Sequence, residues 1–170
     1  MKSIMIDKKR VDPQLCVFGF PWMYDCLSLN FMWPDTALTV DEVDNIEDKE
    51  DIEALIITCN LSDYTFIEGM TNLKQLYIYK ARNIYDLGFL SNLTSLQQLY
   101  ITNSSINSLD RLVELIKRQR TINDDNYNFI GFNGICIDSE YDLDIVPLIE
   151  YGIDILEVSI NRHNLSKMIA

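Results

Sequence analysis

At 170 residues the chain has the length of one domain with room for a sizeable core, and 48% hydrophobic with 24% charged residues is an ordinary globular composition. Against 26 Asp and Glu it carries 14 Lys and Arg, a net charge of −12, which disfavours nucleic acid and membrane surfaces and favours a basic protein as partner. Cys16, Cys26, Cys59 and Cys136 show no Cys-x-x-Cys spacing, which argues against a zinc site or a disulfide framework and for thiols in a reducing compartment.

Residues 1–48 carry no repeat and are rich in aromatics, among them Phe18, Phe20, Trp22, Tyr24, Phe31 and Trp33. Lys8-Lys9-Arg10 ahead of an apolar stretch imitates a signal peptide, but Asp12, Pro13, Pro21 and Asp25 interrupt it and no small-x-small cleavage site follows. The segment is read as folded and the protein as cytoplasmic; no run has the length of a membrane span. Leu27 to Phe31 alternates as a strand does. Thr39-Val40-Asp41-Glu42 has the spacing of a capping box opening a short helix with Val40, Val43 and Ile46 inward. The whole of 1–48 reads as a cap, because the first unit of a repeat stack has an open end that must be covered.

From Ile52 a phrase returns, an apolar triplet spaced as Leu-x-x-Leu-x-Leu. It stands at Ile52-Leu55-Ile57, Leu73-Leu76-Ile78, Leu96-Leu99-Ile101, Phe132-Ile135-Ile137 and Ile153-Leu156-Val158, in steps of 21, 23, 36 and 21 residues. Repeats of about 20–29 residues with this spacing pair one short strand with a return segment. Ile67, Met70 and Leu73, then Ile84, Leu87, Leu90 and Leu93, recur every third residue, as in a 3₁₀ turn packing one face inward. The long step holds Leu109, Leu112, Val113 and Ile116, an amphipathic helix over 108–120 with Ser108 at its start and Lys117, Arg118 and Arg120 at its end. A polar loop, Asn123 to Asn128, follows, and the residues after Asn161 close the far end.

These phrases, best carried by Leu90-Ser91-Asn92-Leu93-Thr94-Ser95-Leu96-Gln97-Gln98-Leu99-Tyr100-Ile101, resemble the leucine-rich repeat proteins, in particular the short-repeat class of bacterial internalins. The likeness covers about residues 52–160. It implies an α/β leucine-rich repeat solenoid, a short horseshoe segment with a parallel sheet on its concave face, helical or 3₁₀ returns and an N-terminal cap. Domain organisation follows: cap 1–48, then 49–170 as about five repeats and a short C-terminal cap, in one structural domain. The family places Asn after the third anchor; Asn60 and Asn161 stand there, but Ala81, Ser104 and Glu140 depart from it. The resemblance also implies protein binding through the concave sheet.

Alternation along each strand puts the residues between the anchors on that outer face in three columns. They run Ala54-Gln75-Gln98-Gly134-Ile155, Ile56-Tyr77-Tyr100-Cys136-Glu157 and Thr58-Tyr79-Thr102-Asp138-Ser159. Tyr77, Tyr79 and Tyr100, with Gln75, Gln98, Thr102, Asp138 and Glu157 around them, form the expected protein-binding patch, because tyrosine joins large area to a polar tip. A cap or helix folded over this face is the competing arrangement.

Chemistry finds little footing. His163 is the only histidine, Gly-x-Ser-x-Gly is missing, and Gly131-Phe132-Asn133-Gly134 has no phosphate-loop lysine. The run Asp138, Glu140, Asp142, Asp144 lacks the glycine and terminal glutamate of a calcium loop. No cofactor is implied. The expected function is a non-enzymatic protein-binding module. The alternatives are an inhibitor or immunity protein that neutralises a basic toxin or enzyme, and a carboxylate-based hydrolase in a cleft between cap and repeats.

Overall fold

The computed structural model describes residues 2–9, 35–126, 131–132, 134–151 and 158–160. Seven strands form one parallel sheet: β1 (Lys2–Asp7), β2 (Thr36–Thr39), β3 (Ile52–Ile57), β4 (Gln75–Ile78), β5 (Gln98–Ser104), β6 (Gly134–Ser139) and β7 (Val158–Ile160). Their order is β2-β1-β3-β4-β5-β6-β7, and from β3 onward each strand lies beside its predecessor in the chain. Of the expected cap, β1 and β2 extend this sheet past the first repeat phrase; Leu27 to Phe31 lies outside the described residues. No helix among the described residues is long and apolar enough to cross a membrane.

The middle registers are those the phrases predict. Leu55, Leu76, Leu99 and Ile135 are successive partners, as are Ile57, Ile78, Ile101 and Ile137, and every one of these eight is almost wholly buried. Two corrections apply. Ile135 pairs with Val158 and Cys136 with Ser159, so the fifth unit is displaced by two residues from the expected phrase. The parity of the strand survives, because a shift of two keeps each position on its face. The third column is also broken: after Ile101 the register slips, and Thr102 and Asn103 together face Asp138. Asn103 has φ 51°, the left-handed conformation of a bulge residue, and its N–H donates to Asp138 Oδ2 at 3.2 Å.

The expected capping box is present, with Glu42 Oε2 accepting from the Thr39 N–H at 2.8 Å and from its hydroxyl at 3.1 Å. The helix it opens, Val40–Asn45, is 3₁₀, and of its expected inner face Val43 is buried. Between strands, the 3₁₀ turns Thr65–Gly69 and Gly88–Leu90 stand where the three-residue spacing predicts them. Helix α1 (Asp110–Ile122) fills the long step, and a shorter α2 (Val146–Glu150) the last one.

All four returns open on the same device. An oxygen of Asp63 accepts the N–H of Thr65, Asp86 that of Gly88, Ser108 that of Asp110 and Asp144 that of Val146, at 3.0, 2.6, 3.1 and 3.0 Å. Each satisfies an amide that the first helical turn leaves without a partner. The residue after each of these acceptors and the one three further on turn inward: Tyr64 and Ile67, Leu87 and Leu90, Leu109 and Leu112 are buried, and Ile145 and Leu148 join the same core. A second phrase, Asp/Ser-apolar-x-x-apolar, thus runs through the chain behind the leucine phrase.

Candidate protein-binding surface

The residues expected to form the patch are brought together. Gln75 pairs with Gln98 and Tyr77 with Tyr100; the two rings lie 6.2 Å apart at 32°. The Tyr77 hydroxyl donates to Gln98 Oε1 at 2.8 Å. Tyr79 is half-buried, with the Lys80 ammonium 5.5 Å from its ring centre. Glu157, Asn161 and His163 lie outside the described residues.

What the patch lacks is exposure. Tyr77 is 1% exposed and Tyr100 5%, and Gln98, Thr102 and Asp138 are buried with them. An open concave surface is therefore corrected to a layer closed at its centre, with half-buried Gln75, Tyr79 and Cys136 around it. A wholly parallel sheet is normally covered on both faces, and Ala54 and Ile56 on the same face are buried as well. Alternation assigns a side chain to a face; it does not tell whether that face meets water. Within the layer Thr102 Oγ1 has no hydrogen-bond partner among the described residues.

The basic residues of α1 are exposed and make contacts within the chain. Arg118 donates to the Ser91 carbonyl at 3.0 Å and Arg111 reaches Glu114 at 3.0 Å. Arg120 donates to the Tyr151 carbonyl, and the charged ends of Lys117 and Arg120 sit 5.3 and 5.5 Å from the Tyr151 ring centre. Gln119, which the sequence reading passed over, is 2% exposed and ties the helix to the preceding unit through the Leu96 carbonyl at 2.8 Å.

Open surface lies instead where the strands end. Past β3 the chain runs through Asn60 to Asp63 and past β4 through Arg82 to Asp86, and the two loops are laced together. Asn83 donates its N–H to Asn60 Oδ1 at 3.2 Å and its side-chain amide to the Leu61 carbonyl at 2.9 Å. Asn60 thus satisfies a backbone N–H of the loop that follows the next strand. The Ser105 N–H in turn reaches the Ile84 carbonyl at 3.0 Å, and the Asn107 N–H the Tyr85 carbonyl at 3.3 Å. Tyr85 is left 60% exposed and Tyr141, two strands along, 48%.

Two clefts run from these loops along the segments between the strands and share Ser62, Asp63 and Thr65. The wider, about 750 Å³, is lined by Lys8, Asp44, Lys49 and Asn60 over Val40, Val43, Leu61 and Phe66. The narrower, about 310 Å³, is lined by Glu68, Asn83, Tyr85, Asp86 and Phe89, and the Tyr64 and Phe89 rings behind it are 5.9 Å apart. Hydrogen bonds from the Thr65 hydroxyl and N–H hold the Asp63 carboxyl below the usual aspartate range, opposite to the shift a general acid needs. Burial pushes the phenol of Tyr64 up, against the Leu61 N–H that it accepts at 3.1 Å. Burial also raises the Cys59 thiol, with Asp7 adding to the effect, and a raised thiol is a poor nucleophile.

The signal for this side was present in the sequence as Asp63 and Asp86, one repeat apart and each opening a return. It is quieter than the leucine phrase, because aspartate is among the residues that dominate any solvated turn. Comparison of the chain with protein families, with curated proteins and with solved structures finds no match.

Proposed function

We propose that the chain is a leucine-rich repeat solenoid segment and that it serves as a non-enzymatic module for binding another protein. The parallel ladder β3 to β7 and the recurring return cap support the repeat reading. The observation that carries the binding reading is the pair of adjoining clefts beside exposed Tyr85, on loops held rigid by inter-repeat hydrogen bonds. Exposed tyrosine on a fixed scaffold is the composition of an interface hot spot. The partner then meets the strand-exit side, and the Tyr77–Tyr100 layer serves as the packed wall that holds that side in shape.

The test is affinity capture from the source cell with the full chain as bait, beside Tyr85→Asp and Tyr141→Asp variants that keep the wild-type circular dichroism spectrum. The expected outcome is a protein retained by wild type and lost from the Tyr85 variant. Identical capture by all three baits would sink the assignment of this surface. The net charge of −12 favours a basic partner, as an inhibitor of a basic enzyme would have, and recovery of only acidic partners would count against that narrower reading.

A further inference from the structure

We propose that the outward face of α2, Val146 and Ile149 with Tyr141 before them, docks an amphipathic basic segment of the partner protein. The inference rests on the protein-binding reading above and specifies the chemistry of what is bound. It starts from helix residues that the fold leaves in water. Val146 is 54% exposed, Tyr141 48% and Ile149 41%. Val146 and Ile149, three residues apart, lie on one side of the helix, while Leu148 is buried in the core. The earlier returns do not do this. Counted from the residue that accepts the first amide, the same two places hold Thr65 and Glu68, then Gly88 and Ser91, then Asp110 and Val113. Of these Val113 alone carries an apolar side chain, and it is buried.

The charge around this face has one sign. Residues 49–120 hold eight acidic and eight basic residues and are neutral as a whole. Residues 121–161 hold nine Asp and Glu and no Lys, Arg or His, so most of the net charge of −12 falls there. Glu140, Asp144 and Glu150 are exposed next to the apolar residues in the chain. Lys117 and Arg120 of α1 rest on the Tyr151 ring, past the end of α2.

An apolar face with an acidic rim selects among occupants. A second copy of this chain, docked face to face, would set Glu140, Asp144 and Glu150 against their equivalents. Nucleic acid and anionic lipid are repelled by the same charge. A protein segment with apolar side chains flanked by lysine or arginine covers the face and neutralises its rim.

The experiment measures fluorescence anisotropy of labelled octapeptides on the full chain, with sedimentation velocity alongside. The probes are Lys-Leu-Leu-Lys-Lys-Leu-Leu-Lys, the same peptide with serine for leucine, and the same with glutamate for lysine. The basic leucine peptide should bind at least tenfold tighter than either of the others. Val146→Ser with Ile149→Ser should weaken it at least tenfold. Glu140→Gln with Glu150→Gln should weaken it at least threefold. Glu50→Gln with Glu68→Gln, which removes the same charge from exposed sites in the neutral stretch, should change it less than twofold. If the first pair does not fold, Ile149→Ser alone replaces it, with a loss of at least threefold expected. Equal binding of the leucine and serine peptides, or equal losses from the two glutamate pairs, would overturn the proposal. So would a wild-type dimer that the Val146 and Ile149 substitutions dissolve. A natural partner lost from Tyr85→Asp but captured in full by the Val146 and Ile149 variant would also overturn it, while leaving the protein-binding reading intact.

Discussion

The hydroxyl of Tyr77 and the side-chain carbonyl of Gln98 meet at 2.8 Å in a layer where Tyr77 is 1% and Gln98 6% exposed. Partners on adjacent strands thus hold each other inside the protein, not on its surface. Tyr77→Phe removes the donor from a buried acceptor and should destabilise the fold by about 1–3 kcal/mol. Tyr77→Ala should cost about 3–5 kcal/mol, the range for emptying a large aromatic site. Urea denaturation of the two variants measures both, and wild-type midpoints would mean that this face is open to water.

Asp86 and Asp63 each accept the first amide of a return, and their removal should be felt locally. Asp86→Ala frees the Gly88 N–H and should cost about 0.5–1 kcal/mol, the range of an ordinary hydrogen bond, whereas Asp86→Asn, which keeps an accepting oxygen, should cost much less. Thermal unfolding of the pair separates the cap from the charge. Equal losses would assign the effect to the charge instead.

The lowered pKa of Asp63 makes its contribution pH-dependent. Because the folded state favours the ionised form, the stabilisation is fully present above the unfolded aspartate pKa. It fades as pH falls through the lower folded value. The difference in melting temperature between wild type and Asp63→Ala should therefore be constant at neutral pH and shrink only below the usual aspartate range. A difference that shrank between pH 8 and 6 would contradict this origin.

Lys80 stands two residues past Ile78 with φ 62°, as Asn103 stands two residues past Ile101 with φ 51°. The left-handed region costs a residue with a Cβ about 1–2 kcal/mol, and glycine avoids that at some loss of chain entropy. Lys80→Gly should therefore stabilise the protein by about 0.5–1 kcal/mol, read as a rise in the denaturation midpoint. A fall would show that the Lys80–Tyr79 stacking outweighs the backbone strain.

Much of the fold was legible in the residues. The anchor triplets predict β3 to β6 and their registers, because a strand with one face in the core must repeat every second residue. Three-residue spacing marks the tight returns, and the heptad-like run marks α1. What escaped had weaker or competing signals. β1, Lys2-Ser3-Ile4-Met5-Ile6-Asp7, carries no repeat phrase and alternates between two faces that are both buried at Ser3 to Ile6. The two-residue displacement of β7 keeps every face assignment, so alternation alone does not betray it. The bulge at Asn103 arises from one backbone torsion.

The candidate site divides along the same line. Strand alternation alone determined that Tyr77 and Tyr100 share a face and that Gln75 and Gln98 stand beside them, because neighbours at matched positions in a repeat must align. Only the tertiary structure decided that this face is closed and that the strand-exit clefts are open. Burial depends on what packs from outside a repeat, and no spacing within the repeat encodes it. The charge of −12 is a sum over the sequence; that Lys8 and Asp63 line one cleft comes from laying β1 and β3 side by side.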